Sequence, residues 1–88
     1  MYLTITSIAS KPHAARKRLD AQLLVDALWA RAGQSGQVEH IATRTADGLA
    51  DVGLYLRADS PAAADRIARD LLERVTRTAP ILYGWYVR

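Results

Sequence analysis

Two side chains that can exchange a proton, His40 and Tyr55, are predicted to face each other across a β-hairpin. The hairpin covers residues 38–58, and Asp47-Gly48 at its centre is typical of a two-residue type I′ turn, which needs positive φ at both positions. A two-residue turn fixes the register and brings the two rings together. Such a pair can act as acid and base, although a structural contact between the rings is the simpler interpretation.

No other pattern in the sequence indicates catalysis or cofactor binding. The chain contains no cysteine, which excludes thiolate catalysis, disulfides and iron–sulfur clusters. Its glycines are scattered, and neither HExxH nor GxSxG occurs. The two histidines, His13 and His40, fall on separate predicted elements without metal-ligand spacing. We therefore expect no metal, no cofactor and a non-enzymatic function.

The positive charge of the chain is concentrated in one segment. The net charge is +3, and Lys11, Arg16, Lys17 and Arg18 lie close together in the sequence. These residues are the predicted contact for an anion, such as phosphate or a nucleic-acid backbone; a solvated loop is the alternative. Because cations oppose the dipole at a helix N-terminus, the next helix either begins later, with Asp20 as its cap, or follows a functional basic segment.

The remaining segments alternate between strands and helices. Residues 2–8 and 81–87 have the composition of strands, and residues 14–32 have helical periodicity. Ser60-Pro61 is typical of a helix start, with serine as the N-cap and proline in the first turn. Six apolar residues form the stripe that the first helix is expected to bury: Leu19, Leu23, Leu24, Ala27, Leu28 and Ala30.

This βαββαβ order resembles the ferredoxin-like α/β plait, and the resemblance covers residues 1–88 as one α+β domain. It rests on the order of elements and on no motif. It implies a four-stranded antiparallel sheet in the order 4-1-3-2, with both helices on one face. Apolar strand residues are expected to pack under the helices: Leu3, Ile5, Ile41, Val52, Leu54 and Leu56.

The other face of the sheet is then open, and it carries the predicted residues for a ligand or partner. They are Tyr2, Thr4, Thr6, His40, Arg44, Gly53, Tyr55, Arg57 and Trp85. The last strand is apolar on both sides, so it contributes either Tyr83 and Trp85 or Leu82 and Tyr86. A strand apolar on both sides indicates that the open face is covered. A glycine in mid-strand is typical of close approach by another backbone or a ligand.

Three hypotheses for this face follow. Small plait domains resemble the dimeric α/β-barrel group, which implies a homodimer with stacked sheets and a role in binding or assembly. The second hypothesis is single-stranded nucleic acid, with bases stacked on Tyr2 and Tyr55 and phosphates on Arg57 and the basic segment. The third is a cofactor-free barrel enzyme that uses His40 and Tyr55. Another protein as partner is also compatible with the composition.

The sequence also predicts the compartment. No apolar run is long enough to span a bilayer, and the first residues carry no basic region of a signal peptide. We therefore expect no membrane partner and a cytoplasmic location.

Overall fold

The computed structural model describes residues 1–11, 18–33 and 36–88. The elements follow in the predicted order: β1 (Tyr2–Ser10), α1 (Ala21–Ala32), β2 (Val38–Ala46), β3 (Leu49–Leu56), α2 (Pro61–Thr78) and β4 (Trp85–Val87). A 3-10 turn, Pro80–Leu82, lies between α2 and β4. The predicted α+β class is confirmed.

The strands form one antiparallel sheet in the order β2-β3-β1-β4. Because β1 and β2 are both antiparallel to β3, they run parallel to each other with β3 between them. In the same way β3 and β4 run parallel on either side of β1. This strand order is the predicted one, and it fits a ferredoxin-like plait.

The β2–β3 hairpin has the predicted register near its turn but a different turn type. Ala46 pairs with Leu49, as a two-residue turn requires. Gly48 has a φ of 71°, whereas Asp47 has a negative φ. These signs belong to a type II turn, so the predicted type I′ turn is wrong. Both turn types contain two central residues, which is why the register is unaffected.

Helix α1 begins later than its apolar periodicity suggests. Asp20 caps it, and its carboxylate accepts hydrogen bonds from the backbone N–H groups of Gln22 and Leu23 at 2.9 and 3.1 Å. Arg18 therefore precedes the helix and does not lie in its first turn. The buried side of α1 is formed by Leu24, Leu28 and Ala32, while Leu23 from the predicted stripe is exposed.

Helix α2 begins where the sequence predicts. The Ser60 hydroxyl accepts a hydrogen bond from the Ala63 N–H at 3.1 Å, and Pro61 opens the first turn. Both helices pack on the same face of the sheet and form one hydrophobic core with it. The largest fully buried side chains in this core are Ile8, Leu24, Leu28, Val52, Leu54, Leu56, Leu72, Val75 and Leu82.

The side of β1 that faces the helices is the side that was predicted to face away from them. Its pairing with β3 places Thr4 opposite Leu54 and Thr6 opposite Val52, and residues paired in this way share a face. Thr4 is buried, and its hydroxyl donates to the Leu54 carbonyl at 3.5 Å. Tyr2, Thr4 and Thr6 therefore lie on the helix side, and their predicted place on the open face is wrong.

The same pairing places Leu3 and Ile5 on the open face. The physical reason is that β1 carries apolar side chains on both sides, because Ile8 lies on the same side as Thr4 and Thr6 and is fully buried. Strand alternation cannot choose between two apolar sides. The choice follows from β3, whose alternate residues fill the core.

Strand β4 is shorter than predicted, and its sides are now assigned. Gly84, with a φ of 85°, separates the 3-10 turn from the strand. Trp85 is buried against the helices, which corrects its predicted place on the open face. Tyr86 pairs with Ala9 and lies on the open face, while Tyr83 precedes the strand and is exposed.

The orientation of β1 predicts different costs for the same substitution at two sites. Ile8→Ala removes a fully buried side chain and is expected to lower the free energy of unfolding by about 2–5 kcal/mol. Ile5→Ala removes one that is mostly exposed and is expected to cost about 0.5 kcal/mol or less. Urea denaturation of dilute protein measures both. A larger loss for Ile5→Ala would show that β1 is turned the other way.

Candidate functional site

The side of the sheet that faces away from the helices, called the open face below, is the candidate site. Its side chains come from all four strands: Leu3, Ile5, Ser7, Ala9, His40, Ala42, Arg44, Ala46, Leu49, Asp51, Tyr55 and Tyr86, together with Gly53. Arg57 follows β3 directly at the end of this face. Of the residues predicted for it, His40, Arg44, Gly53 and Tyr55 lie on the open face.

The centre of the open face is apolar and exposed. Leu3 is 53% and Ile5 70% exposed, and the neighbouring Tyr55 is 37% exposed. Tyr86, on the edge strand β4, is 42% exposed. Exposed aliphatic side chains are common singly but unusual next to one another at the centre of a sheet. Leu3 and Ile5 stand on the same side of one strand, two residues apart, so they form one continuous patch.

Beside Ile5 the face has a hollow, which is the position of Gly53. Ile5 pairs with Gly53, which has no side chain to cover it. A Cβ built on Gly53 would meet the Ala42 carbonyl oxygen at 3.6 Å and Leu3 Cδ1 at 3.8 Å, both ordinary van der Waals distances. Packing within one chain therefore does not require glycine here. The result is an exposed side chain beside a position that carries none and is bordered by Leu3 and Ala42.

Charged groups flank the apolar centre at both ends. At one end Arg57 donates to Glu39 Oε1 from Nη2 at 2.7 Å and from Nε at 3.1 Å. A bulge between Val38 and His40 places this pair at the margin of the hairpin.

At the other end the Ser7 hydroxyl donates to Asp51 Oδ1 at 2.5 Å, and Arg44 is cross-strand to Asp51. Arg44 makes no hydrogen bond or ion pair within the described ranges. Each end of the apolar centre thus carries one acidic and one basic side chain.

His40 and Tyr55 are neighbours, as the hairpin register predicts. Their ring centroids are 5.7 Å apart at an interplanar angle of 55°, which is a tilted aromatic contact. Both rings are exposed. No hydrogen bond joins them in the part of the chain that the structure describes. The observed geometry of the pair is that of a packing contact between two rings.

The basic segment is described only at its ends. Lys11 and Arg18 are exposed, whereas Arg16 and Lys17 lie outside the described residues. The Lys11 backbone N–H donates to the Gly84 carbonyl at 2.7 Å, which fixes the start of the segment beside β4. The function of the four basic residues as an anion contact stays a prediction.

Sequence reasoning missed Leu3 and Ile5 as members of this face. The available signal was Ile8, because its position relative to Tyr2, Thr4 and Thr6 shows that this side of β1 also contains a strongly apolar residue. Tyr86 was one of two alternatives for β4. The pairing of Tyr86 with Ala9 decides between them.

No protein-family model, curated protein or solved structure matches this chain. Within the described ranges, no helix has the length and apolar character needed to cross a membrane. Among those same residues, no group of three or more His, Cys, Asp or Glu side chains is arranged to hold a metal ion.

The hollow at Gly53 predicts an unusual tolerance. Gly53→Ala is expected to leave the free energy of unfolding unchanged or to raise it by about 0.5 kcal/mol, because a Cβ fits and glycine weakens a strand. Gly48→Ala is the control and is expected to cost about 1–2 kcal/mol, because φ is positive there. Thermal or urea denaturation at low concentration measures both. A clear loss for Gly53→Ala would mean that the hollow is filled within one chain.

Proposed function

We propose that this chain is a ferredoxin-like domain with a role in binding or assembly, and that it forms a homodimer by stacking the open faces of two copies. The observation that carries the proposal is the exposure of Leu3 and Ile5 at the centre of that face. Covering each of them would contribute roughly 1–2 kcal/mol by the area it removes from water. Exposed polar side chains, or one isolated exposed aliphatic side chain, would not support a partner in this way.

A second copy suits this face because the face is complementary to itself. In a two-fold interface, a contact from one residue of the first copy to another residue of the second copy always occurs in the reverse direction as well. Ile5 and the hollow at Gly53 lie side by side, so one axis can place the Ile5 of each copy over the Gly53 of the other. Each exposed Ile5 side chain is then covered, and each Gly53 position is filled by the other copy.

The charges on the face also favour a second copy. Glu39 and Arg57 form an ion pair at one end, and Asp51 and Arg44 lie cross-strand at the other. Because each end carries both signs, a two-fold arrangement brings no block of like charges together. An acidic or basic macromolecule would meet charges of its own sign at either end.

The size of the face sets the expected strength of the dimer. The three long strands cover a flat area of roughly 400 Å² at normal strand spacings. Stable interfaces bury about 800 Å² of accessible surface on each partner. Because side chains project from the sheet, the accessible area of the face is larger than this flat area. Even so, the contact lies at the lower end of the range for stable interfaces. We therefore expect dissociation in the micromolar range.

The alternative functions have less support. A nucleic-acid platform was expected to use Tyr2 and Tyr55, but Tyr2 packs on the helix side, and the centre of the open face is aliphatic. Bases stack on aromatic rings rather than on leucine and isoleucine. For an enzyme using His40 and Tyr55, the observed contact is ring packing, which by itself gives no support for acid–base chemistry. A cytoplasmic location is proposed with the dimer, because a chain without cysteine suits a reducing compartment.

A matched pair of leucines tests the proposal. Leu3 and Leu23 are almost equally exposed, at 53% and 52%, but Leu23 lies on α1, away from the open face. Leu3→Lys is expected to raise the dimer dissociation constant by roughly tenfold or more, because it places like charges in the contact. Leu23→Lys is expected to leave it unchanged. Analytical ultracentrifugation over a concentration series measures both.

The proposal is wrong if the unmodified chain remains a monomer at millimolar concentration. It is also wrong if Leu23→Lys weakens association as much as Leu3→Lys does, since the contact would then involve the helices. In the first case the aliphatic patch would be free for a different protein partner.

A further inference from the structure

One edge of β1 is left uncovered, although β1 lies in the interior of the sheet. β4 pairs only with Ile8, Ala9 and Ser10 of β1. One more bond, from the Arg88 N–H to the Ser7 carbonyl at 2.9 Å, ends the contact. The first part of β1, residues 2–6, is paired with β3 on one side and with no strand on the other in the described part of the chain.

The backbone groups on this uncovered edge can be identified by alternation. The Lys11 N–H and the Ser7 carbonyl bond to residues beside β4, whereas the Ser10 N–H bonds to Gly48 on the β3 side. In a strand, successive residues direct their N–H and C=O groups to opposite neighbours. The groups of Leu3 and Ile5 therefore point to the uncovered edge, and neither residue has a further partner among the described residues.

The edge has space for another strand. Where β4 stops, Ile5, Thr6 and Ser7 line a notch together with Asp65, Arg69 and Arg88. Proteins usually protect such edges with charged residues, proline or a bulge in the strand. Residues 2–6 contain no charge and no proline, and their pairing with β3 runs without a register shift. Residues 2–6 themselves therefore lack these features, and the charged residues nearby, Asp65, Arg69 and Arg88, line the notch at the Ser7 end of this edge.

We propose that β1 of a second copy adds to this edge in the antiparallel direction, with a two-fold axis at Thr4. In this register Leu3 lies opposite Ile5 of the second copy, and Ile5 lies opposite its Leu3. Both residues direct their N–H and C=O groups to the edge, so each opposed pair forms two reciprocal hydrogen bonds. The four aliphatic side chains then become cross-strand neighbours, which is a stabilising arrangement.

The short β4 does not obstruct this arrangement. The strand of the second copy pairs with residues 2–6, and β4 occupies the same line beside residues 8–10. The two strands therefore follow one another along β1, and Met1 of each copy, which would fall opposite Ser7 beside Arg88 of the other, has to turn away from this line. Among registers, the one centred at Thr4 is favoured because it pairs the two residues that combine free backbone groups with exposed aliphatic side chains.

This edge contact goes beyond the stacked dimer and uses different atoms. Stacking uses the side chains of the open face around an axis parallel to the sheet. Edge pairing uses the backbone of β1 around an axis perpendicular to the sheet. Two perpendicular two-fold axes are compatible in one closed assembly, and both contacts together would give four copies with dihedral symmetry.

Amide hydrogen exchange measured by NMR tests the edge contact on the unmodified chain. In the monomer, Thr4 and Thr6 are expected to be protected by β3, while Leu3 and Ile5 exchange quickly. At millimolar concentration, the exchange of Leu3 and Ile5 is expected to slow by roughly tenfold or more, because their N–H groups become bonded. If both remain fast where ultracentrifugation shows association, the edge contact is wrong and stacking is retained.

Two substitutions at one position separate the backbone bond from the side chain. Ile5→Pro removes the N–H that points to the edge, which costs the monomer no bond to β3. Ile5→Ala removes the side chain and keeps the N–H. We expect association by Ile5→Pro to be roughly tenfold weaker than by Ile5→Ala, since each dimer loses two backbone bonds. Equal association would contradict edge pairing.

Gly53→Val distinguishes this contact from stacking. It fills the hollow on the open face and is expected to weaken stacking, while the slow exchange of Leu3 and Ile5 persists at high concentration. If Gly53→Val abolishes the protection of both amides, the edge is closed only as a consequence of stacking, and the inference is wrong.

If Ile5→Pro fails to fold, Leu3→Pro compared with Leu3→Ala provides the same comparison at the second edge residue.

Discussion

The pairing of β1 with β3 determines which part of this chain meets its surroundings. β3 carries Val52, Leu54 and Leu56 on one side and Asp51, Gly53 and Tyr55 between them on the other, so its buried side is fixed by the hydrophobic effect. The register then places Thr4 opposite Leu54 and turns Leu3 and Ile5 outward. A shift of one residue would reverse every side chain of β1. The exposed patch is thus a consequence of how the core is filled.

Both proposed contacts follow from this single orientation. The side chains of Leu3 and Ile5 give the open face its apolar centre, and Gly53 leaves a hollow beside Ile5. The same two residues direct their backbone groups to the edge that the short β4 leaves uncovered. One pair of residues therefore supplies apolar surface in one direction and hydrogen-bonding groups in another. A second copy of the chain can satisfy both.

Much of the fold can be predicted from local signals. Ser60-Pro61 locates the start of α2 because a cap and a fixed φ act on the residues next to them. Asp47-Gly48 fixes the hairpin register even though the turn type differs, because only the number of turn residues matters. The orientation of β1 cannot be found in this way, because Leu3 and Ile5 compete with Ile8 and the outcome depends on pairing with a distant strand. The brevity of β4 cannot be found from composition either, since residues 81–87 are apolar apart from Gly84, whose positive φ separates the turn from the strand.

In the proposed dimer, the open face of one copy lies against the open face of another. Isotope-filtered nuclear Overhauser spectroscopy on an equal mixture of labelled and unlabelled chains tests it directly. We predict contacts between the methyl groups of Leu3 and Ile5 in one copy and the Ala42 methyl and Tyr55 ring of the other. Ala42 lies on β2, away from the β1 edge, so edge pairing alone cannot produce its contact. Intermolecular contacts confined to α1 and α2, or none at millimolar concentration, would contradict the account.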